Sequence, residues 1–215
     1  MSRPAPRAVV FDMDGVLLDS GVHHRDAWVA ACHDCGVTLP PEFWRLTIGR
    51  PGEEAAARLM PDGDAAEHRR LADLKREHYV RLARRGLMPI RGAPAFVECL
   101  VREEVPRAIA TSASRADMDR LLGLLDLRRY FDVAVAAEDV RRGKPDPEVY
   151  LAAATALGAA PAACLVFEDA VVGVQAARAA GMRVVGITTA HTADELVAAG
   201  AERALADFEE VTWPV

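Results

Sequence analysis

Short, fully apolar runs alternate with longer helical patterns along most of this chain. Ala8-Val9-Val10-Phe11 is apolar at every position, as a strand buried on both faces requires. Comparable runs recur at residues 107–111, 133–136, 164–167 and 184–187. Between them the pattern predicts helices, for example over 115–125 and 147–157, with Gly158 and Gly181 where C-terminal caps belong. Repeated alternation of strand and helix predicts an α/β protein built on a parallel sheet with crossover helices.

One region breaks the alternation. From about residue 20 to 85 no strand pattern stands out, and helical stretches are punctuated by Gly36, Pro40-Pro41, Gly49, Pro51-Gly52 and Pro61-Asp62-Gly63. The expected organisation is therefore a catalytic core over residues 1–19 and 86–215, with a helical insert over 20–85. No internal repeat or low-complexity tract interrupts it.

Composition narrows the partners. The 215 residues are 51% hydrophobic and 27% charged, an ordinary balance for a globular protein, and the net charge is -6. That charge argues against nucleic acid as a partner. No apolar stretch approaches the roughly 20 residues of a membrane helix, and the apolar run after Arg7 is too short for a signal core. The expectation is a cytoplasmic protein without membrane or nucleic-acid partners, acting as a monomer, with a dimer as the alternative. Cys32 and Cys35 form a C-x-x-C near the end of a predicted helix, where ordinary reduced thiols are the plain reading.

Chemistry concentrates where the apolar runs end. Asp12-Met13-Asp14-Gly15 places two carboxylates two residues apart at the end of the first strand, on the side of an open sheet where ligands bind. Residues i and i+2 of an extended chain point the same way, so the carboxylates converge if the strand continues. Converging carboxylates repel unless a cation relieves them, and a hard ion such as Mg2+ suits oxygen ligands. Taken alone, the motif reads equally well as a surface turn. A second acidic pair, Glu168-Asp169, ends a later strand. Thr111-Ser112-Ala113-Ser114 precedes a helix, whose N-terminus with its hydroxyls makes an anion site. Lys144, before Pro145, is one of only two lysines among 26 basic residues, the other being Lys75; alone it would pass for a solvated loop charge.

Asp12-x-Asp14-Gly15-Val16, Thr111-Ser112, Lys144-Pro145 and Glu168-Asp169 with Gly173 together resemble, in order and spacing, the four-motif signature of the haloacid dehalogenase superfamily. The run from Asp12 to Ser20, with His24 and Trp28 beyond it, is most similar to the β-phosphoglucomutase-like branch. The resemblance implies a Rossmann-like core with an inserted all-helical cap. It also implies a phosphoric monoester hydrolase that uses Mg2+ and acts on a small phosphorylated metabolite, such as a sugar phosphate. In that scheme Asp12 is the nucleophile forming an aspartyl-phosphate, and Asp14 is the acid and base. Thr111, Ser112 and Lys144 hold the phosphoryl group, Thr111 or Ser112 supplying the hydroxyl. Asp12, Asp14, Glu168 and Asp169 hold the metal. In the cap, His24, Trp28, Gly49, Arg50 and Lys75 are candidates to meet substrate, although a Trp at helical spacing more often belongs to a core.

Two departures from the pattern bear on function. Ala170 stands where relatives usually carry Ser. Gly52 stands where the mutase branch places the arginine that grips a second phosphate, which favours hydrolysis over phosphomutase activity. A non-catalytic phospho-acceptor switch is the third reading, and the helical insert and Thr111-Ser112 fit it poorly.

Overall fold

The computed structural model describes residues 6–215; the arginine- and proline-containing start of the chain, up to residue 5, lies outside the described residues. In chain order the elements are β1 (Ala8–Phe11), α1 (Gly21–Cys35), α2 (Phe43–Thr47), α3 (Gly52–Leu59), α4 (Ala65–Ala83), α5 (Ala93–Arg102), β2 (Arg107–Ala110) and α6 (Arg115–Leu124). They continue with β3 (Val133–Val135), α7 (Glu148–Ala156), β4 (Cys164–Glu168), α8 (Val171–Ala179), β5 (Arg183–Ile187), α9 (Ala193–Ala199) and β6 (Arg203–Leu205). The chain divides into two compact units, one running to Asp19 and resuming over Met88–Val215, the other Ser20–Leu87.

The first unit is a six-stranded sheet in the order β3-β2-β1-β4-β5-β6, with every pairing parallel. This is a Rossmann-like α/β fold, and the strand order reverses beside β1, where such sheets open a crevice for ligands. β1 and β4 are buried at every position, which is why their sequences, up to Glu168 at the end of β4, are continuously apolar instead of alternating. β6 was not among the expected strands. It has only three residues, none fully buried, so no apolar run marks it.

One sheet face packs Ala8 and Val10 against Val149, Tyr150 and Ala153 of α7 and Val174 and Ala177 of α8. Aromatic rings gather around Phe11, which stacks on Phe167 of β4 at 5.4 Å and meets Phe131 edge-on at 5.8 Å. Because Phe11 and Phe167 are register partners, this stack anchors the ends of β1 and β4 side by side. The residues that follow, Asp12 and Glu168, are positioned by that anchor. Gly158 and Gly181 take left-handed backbone at φ +64° and +79°, as the capping pattern anticipated.

The second unit consists of α1 to α4 around its own apolar core, which includes Trp28, Cys32, Phe43, Ala56, Leu59 and Leu71. Asp64 caps α4 through the backbone N–H groups of Ala66 and Glu67, and Glu67 returns the bond to the Asp64 N–H. All four cysteines are free thiols; burial, and then the nearby Cys35, push Cys32 up to about 11, which disfavours its thiolate at neutral pH. No helix among the described residues is long and apolar enough to cross a membrane.

Candidate active site

Four loops follow the carboxyl ends of β1, β2, β3 and β4, and the residues singled out in the core unit lie on them, save Glu168, the last residue of β4. Asp12 leaves β1 directly, its N–H donating to the Phe167 carbonyl at 3.0 Å, so the first acidic residue is still held by the sheet. Gly15 turns the loop with φ +77°. It also has to be glycine for space: a Cβ there would lie 1.8 Å from Asp169 Oδ2.

Lys144 is the electrostatic centre of the site. Its ammonium donates to Asp12 Oδ1 at 2.6 Å and to Glu168 Oε1 at 2.6 Å, and only 2% of its side chain is exposed. Burial alone would lower the Lys144 pKa, but the Asp12 and Glu168 carboxylates outweigh it and hold the ammonium well above its ordinary value. The preceding loop is pinned by Glu148, whose carboxylate accepts the backbone N–H groups of Arg141 at 3.0 Å and Arg142 at 3.2 Å.

Glu168 is committed to the protein through both oxygens. Oε1 also accepts the Tyr150 hydroxyl at 3.0 Å, and Oε2 accepts the Ala170 N–H at 2.7 Å. Gly173 leaves room for it, since a Cβ at that position would lie 1.6 Å from Oε1. The Ser-to-Ala departure at residue 170 therefore leaves a turn that is closed by backbone. Tyr150, which no sequence pattern singled out, completes the buried cluster and lies with its ring 5.0 Å from the Lys144 ammonium.

Burial pushes the Asp12 carboxyl up to about 7; the Lys144 ammonium pulls the other way, and the Glu168 and Asp14 carboxylates add to the rise. Burial, followed by the Glu168 and Asp12 carboxylates, holds Asp169 well above the usual carboxylate range. Asp12, Glu168 and Asp169 thus crowd carboxylates around one ammonium, with Asp14 acting on Asp12, and every donor there is a hard oxygen. This set fits a divalent cation such as Mg2+. Among the described residues no three or more His, Cys, Asp or Glu side chains form a ready-made metal cage. Mg2+ does not require one, since it commonly takes one or two carboxylates and completes its shell with water and phosphate oxygens. Asp12 and Asp169 are the two suited to it, Glu168 being occupied by Lys144, Tyr150 and Ala170.

Thr111 directly follows β2, buried to 2% exposure, and its N–H donates to the Val135 carbonyl at 3.0 Å. Its Oγ1 accepts the Ala113 N–H at 3.1 Å, a bond that leaves the hydroxyl proton to donate elsewhere. Ser112 follows half-buried, and Ser114 caps α6 through the Asp117 N–H.

Within the four-helix unit, two other singled-out residues, His24 and Trp28, and also Tyr79 gather around Lys75 of α4. Its Nζ lies 2.6 Å from His24 Nδ1, 5.6 Å from the centre of the Trp28 ring and 4.8 Å from that of Tyr79. An ammonium can only donate, so His24 Nδ1 accepts and its ring proton sits on Nε2. His24 stacks on Tyr79 at 3.9 Å. Trp28 is 3% exposed and belongs to the unit's core. Gly49 turns the chain at φ +69°, and Arg50 is paired with Glu54 at 2.5 Å, apart from the Lys75 group in its bonding. Gly52 opens α3, where a Cβ would approach Ala72 of α4 to 3.3 Å.

Comparison with known proteins identifies the family. The chain is 36% identical to validoxylamine A 7'-phosphate phosphatase of Streptomyces hygroscopicus subsp. limoneus, over 97% of each. It is 34% identical to a phosphorylated carbohydrates phosphatase of Thermotoga maritima, over 95% of each. A crystal structure of a hydrolase from Pseudomonas syringae superposes with a TM-score of 0.87 at 30% identity, covering 94% of each chain. Residues 6–181 match the haloacid dehalogenase-like hydrolases, and it is to this family that the chain belongs.

Proposed function

We propose that this protein is a Mg2+-dependent phosphatase that hydrolyses a small phosphorylated metabolite, a sugar phosphate or similar polyol phosphate, by way of an aspartyl-phosphate on Asp12. The observation that carries the reading is the buried Lys144 bridge. One ammonium holds Asp12 Oδ1 at 2.6 Å and is itself fixed by Glu168, so the nucleophile is oriented while its second oxygen is left for attack. Of the two phosphatase relatives one acts, by its name, on phosphorylated carbohydrates and the other on validoxylamine A 7'-phosphate, which supports the substrate class.

Each role follows from the chemistry of the group. Asp12 attacks phosphorus, and Asp14 gives the leaving alkoxide its proton and later takes one from water. The Thr111 hydroxyl, the Ser112 N–H and Lys144 hold the phosphoryl oxygens, a chiefly electrostatic task. Asp12, Asp169 and the Asp14 carbonyl are the groups suited to hold Mg2+. When bound, the ion offsets the repulsion between carboxylates and phosphate and stabilises charge on the phosphoryl oxygens. Lys75, half-buried beside His24 and over the buried Tyr79 ring, offers a cation suited to an anionic group, and we assign substrate preference to it.

Hydrolysis is favoured over phosphomutase chemistry because Gly52 lacks a side chain for a second phosphate and Arg50 is already paired with Glu54. The test is phosphate release from a panel of phosphorylated metabolites. Release is expected with Mg2+ and not in excess chelator, returning when Mg2+ is restored. Undiminished turnover in chelator, or release from no substrate in a broad panel, would overturn the reading. A hexose 1-phosphate with a bisphosphate primer is expected to give free phosphate and not the isomer.

A further inference from the structure

A fifth loop, which belongs to none of the four motifs, ties the two acidic loops together. β5 ends at Ile187, and the chain then runs Thr188-Thr189-Ala190-His191 before α9. Thr189 Oγ1 donates to the Gly15 carbonyl at 2.6 Å and lies 3.1 Å from Asp169 Oδ2, sharing its one proton between two acceptors. His191 Nδ1 lies 3.2 Å from the Asp169 carbonyl oxygen. A carbonyl only accepts, so Nδ1 carries the ring proton. Gly15 closes the group, since a Cβ there would be 2.9 Å from Thr189 Oγ1 as well as overlapping Asp169.

The burial pattern separates this arrangement from ordinary packing. Asp169 is 7% exposed, whereas Thr189 faces solvent, so the threonine contributes little to the core. What it does contribute is a hydroxyl that occupies one oxygen of a buried carboxylate and joins it to the turn after Asp14. With Oδ2 taken, the other oxygen of Asp169 is presented in a fixed direction. Partners of this kind commonly set the orientation, and hence the affinity, of a metal-binding carboxylate.

We propose that Thr189 and His191 are positioning residues that hold Asp169 in register with the Asp12–Gly15 loop for binding the divalent cation. The proposal rests on the reading of Asp12 and Asp169 as the Mg2+ carboxylates. Thr189 acts on the carboxylate side chain and the Gly15 carbonyl, and His191 acts on the Asp169 backbone.

The experiment is titration of the metal-free full chain with Mg2+ in a calorimeter, without substrate, alongside thermal melting in chelator. Thr189→Val, which keeps the shape and removes the hydroxyl, is expected to weaken Mg2+ binding about 10–100-fold. Its melting temperature in chelator is expected to stay within about 2 °C of wild type, because the site is exposed. Thr189→Ser restores the hydroxyl and is expected to return affinity to within about threefold, which simple loop support would not require. At saturating Mg2+ the Val variant should regain most of its kcat while needing more metal to reach it. Wild-type affinity in Thr189→Val, or a Ser variant as weak as the Val variant, would overturn the proposal. If the Val variant melts early, His191→Ala decides the matter, and unchanged Mg2+ affinity there overturns it equally. If wild-type protein itself binds no Mg2+, the reading of Asp12 and Asp169 falls first and this proposal with it.

Discussion

Replacing Asp12 by Asn is expected to reduce phosphate release by about four to six orders of magnitude, the range seen when an enzyme loses its nucleophile. The change is nearly isosteric, and the amide oxygen can still accept the Lys144 ammonium, now 2.6 Å from Oδ1. What is lost is the anionic oxygen, since a neutral amide is a poor nucleophile toward phosphorus. Folding should survive. Burial already works against a charged Asp12, pushing its carboxyl up to about 7, so a neutral side chain removes a desolvation cost. Melting close to wild type combined with no detectable turnover is the expected pair of results. Turnover above about one per cent of wild type would mean that another group carries the reaction.

The second large effect concerns Lys144. Replacing it with Met keeps length and apolar bulk but leaves Asp12 and Glu168, each 2.6 Å from the ammonium, facing one another without a counter-charge. Removing one partner of a buried ionic cluster costs about 3–5 kcal/mol. For a protein of this size that lowers the melting temperature by roughly 6–20 °C. Turnover should fall by at least about 100–1,000-fold, the usual result of losing one donor to a charged transition state. Pairing Lys144→Met with Glu168→Gln separates the two losses. The neutral amide at 168 removes the repulsion, so part of the lost stability returns and none of the activity does. A Lys144→Met variant that melts with wild type would show that the bridge contributes nothing to the fold.

Much of this site was legible because its residues sit where strands end. Asp12 and Glu168 each follow a continuously apolar run, and strand ends in a parallel sheet are where ligands bind. Lys144 was legible for another reason, as a rare lysine in an arginine-rich chain beside a proline. The use made of Glu168 was not legible. Its three hydrogen-bond partners come from positions 144, 150 and 170, and nothing in the spacing shows that Tyr150 of an apolar helix turns its hydroxyl inward. Thr189 and His191 were missed because a threonine and a histidine in a loop carry no pattern. Their meaning lies in distances to Gly15 and Asp169, which are remote in sequence and adjacent only once β5 lies beside β4. β6 escaped for want of length and burial, whereas the strands buried on both faces announced themselves. Trp28 shows the opposite case, a candidate ligand-facing ring that its helical spacing already marked as core.

The central claim is that phosphate passes through a covalent bond to Asp12 before it reaches water. The most direct measurement is the stereochemical course at phosphorus, followed with a phosphorothioate analogue of the substrate, made chiral with two oxygen isotopes and hydrolysed in water carrying the third. Two successive in-line displacements, the first by Asp12 and the second by water, invert the centre twice, so net retention is the predicted result. Net inversion would mean that water attacks the substrate directly, and the role assigned to Asp12 would be wrong.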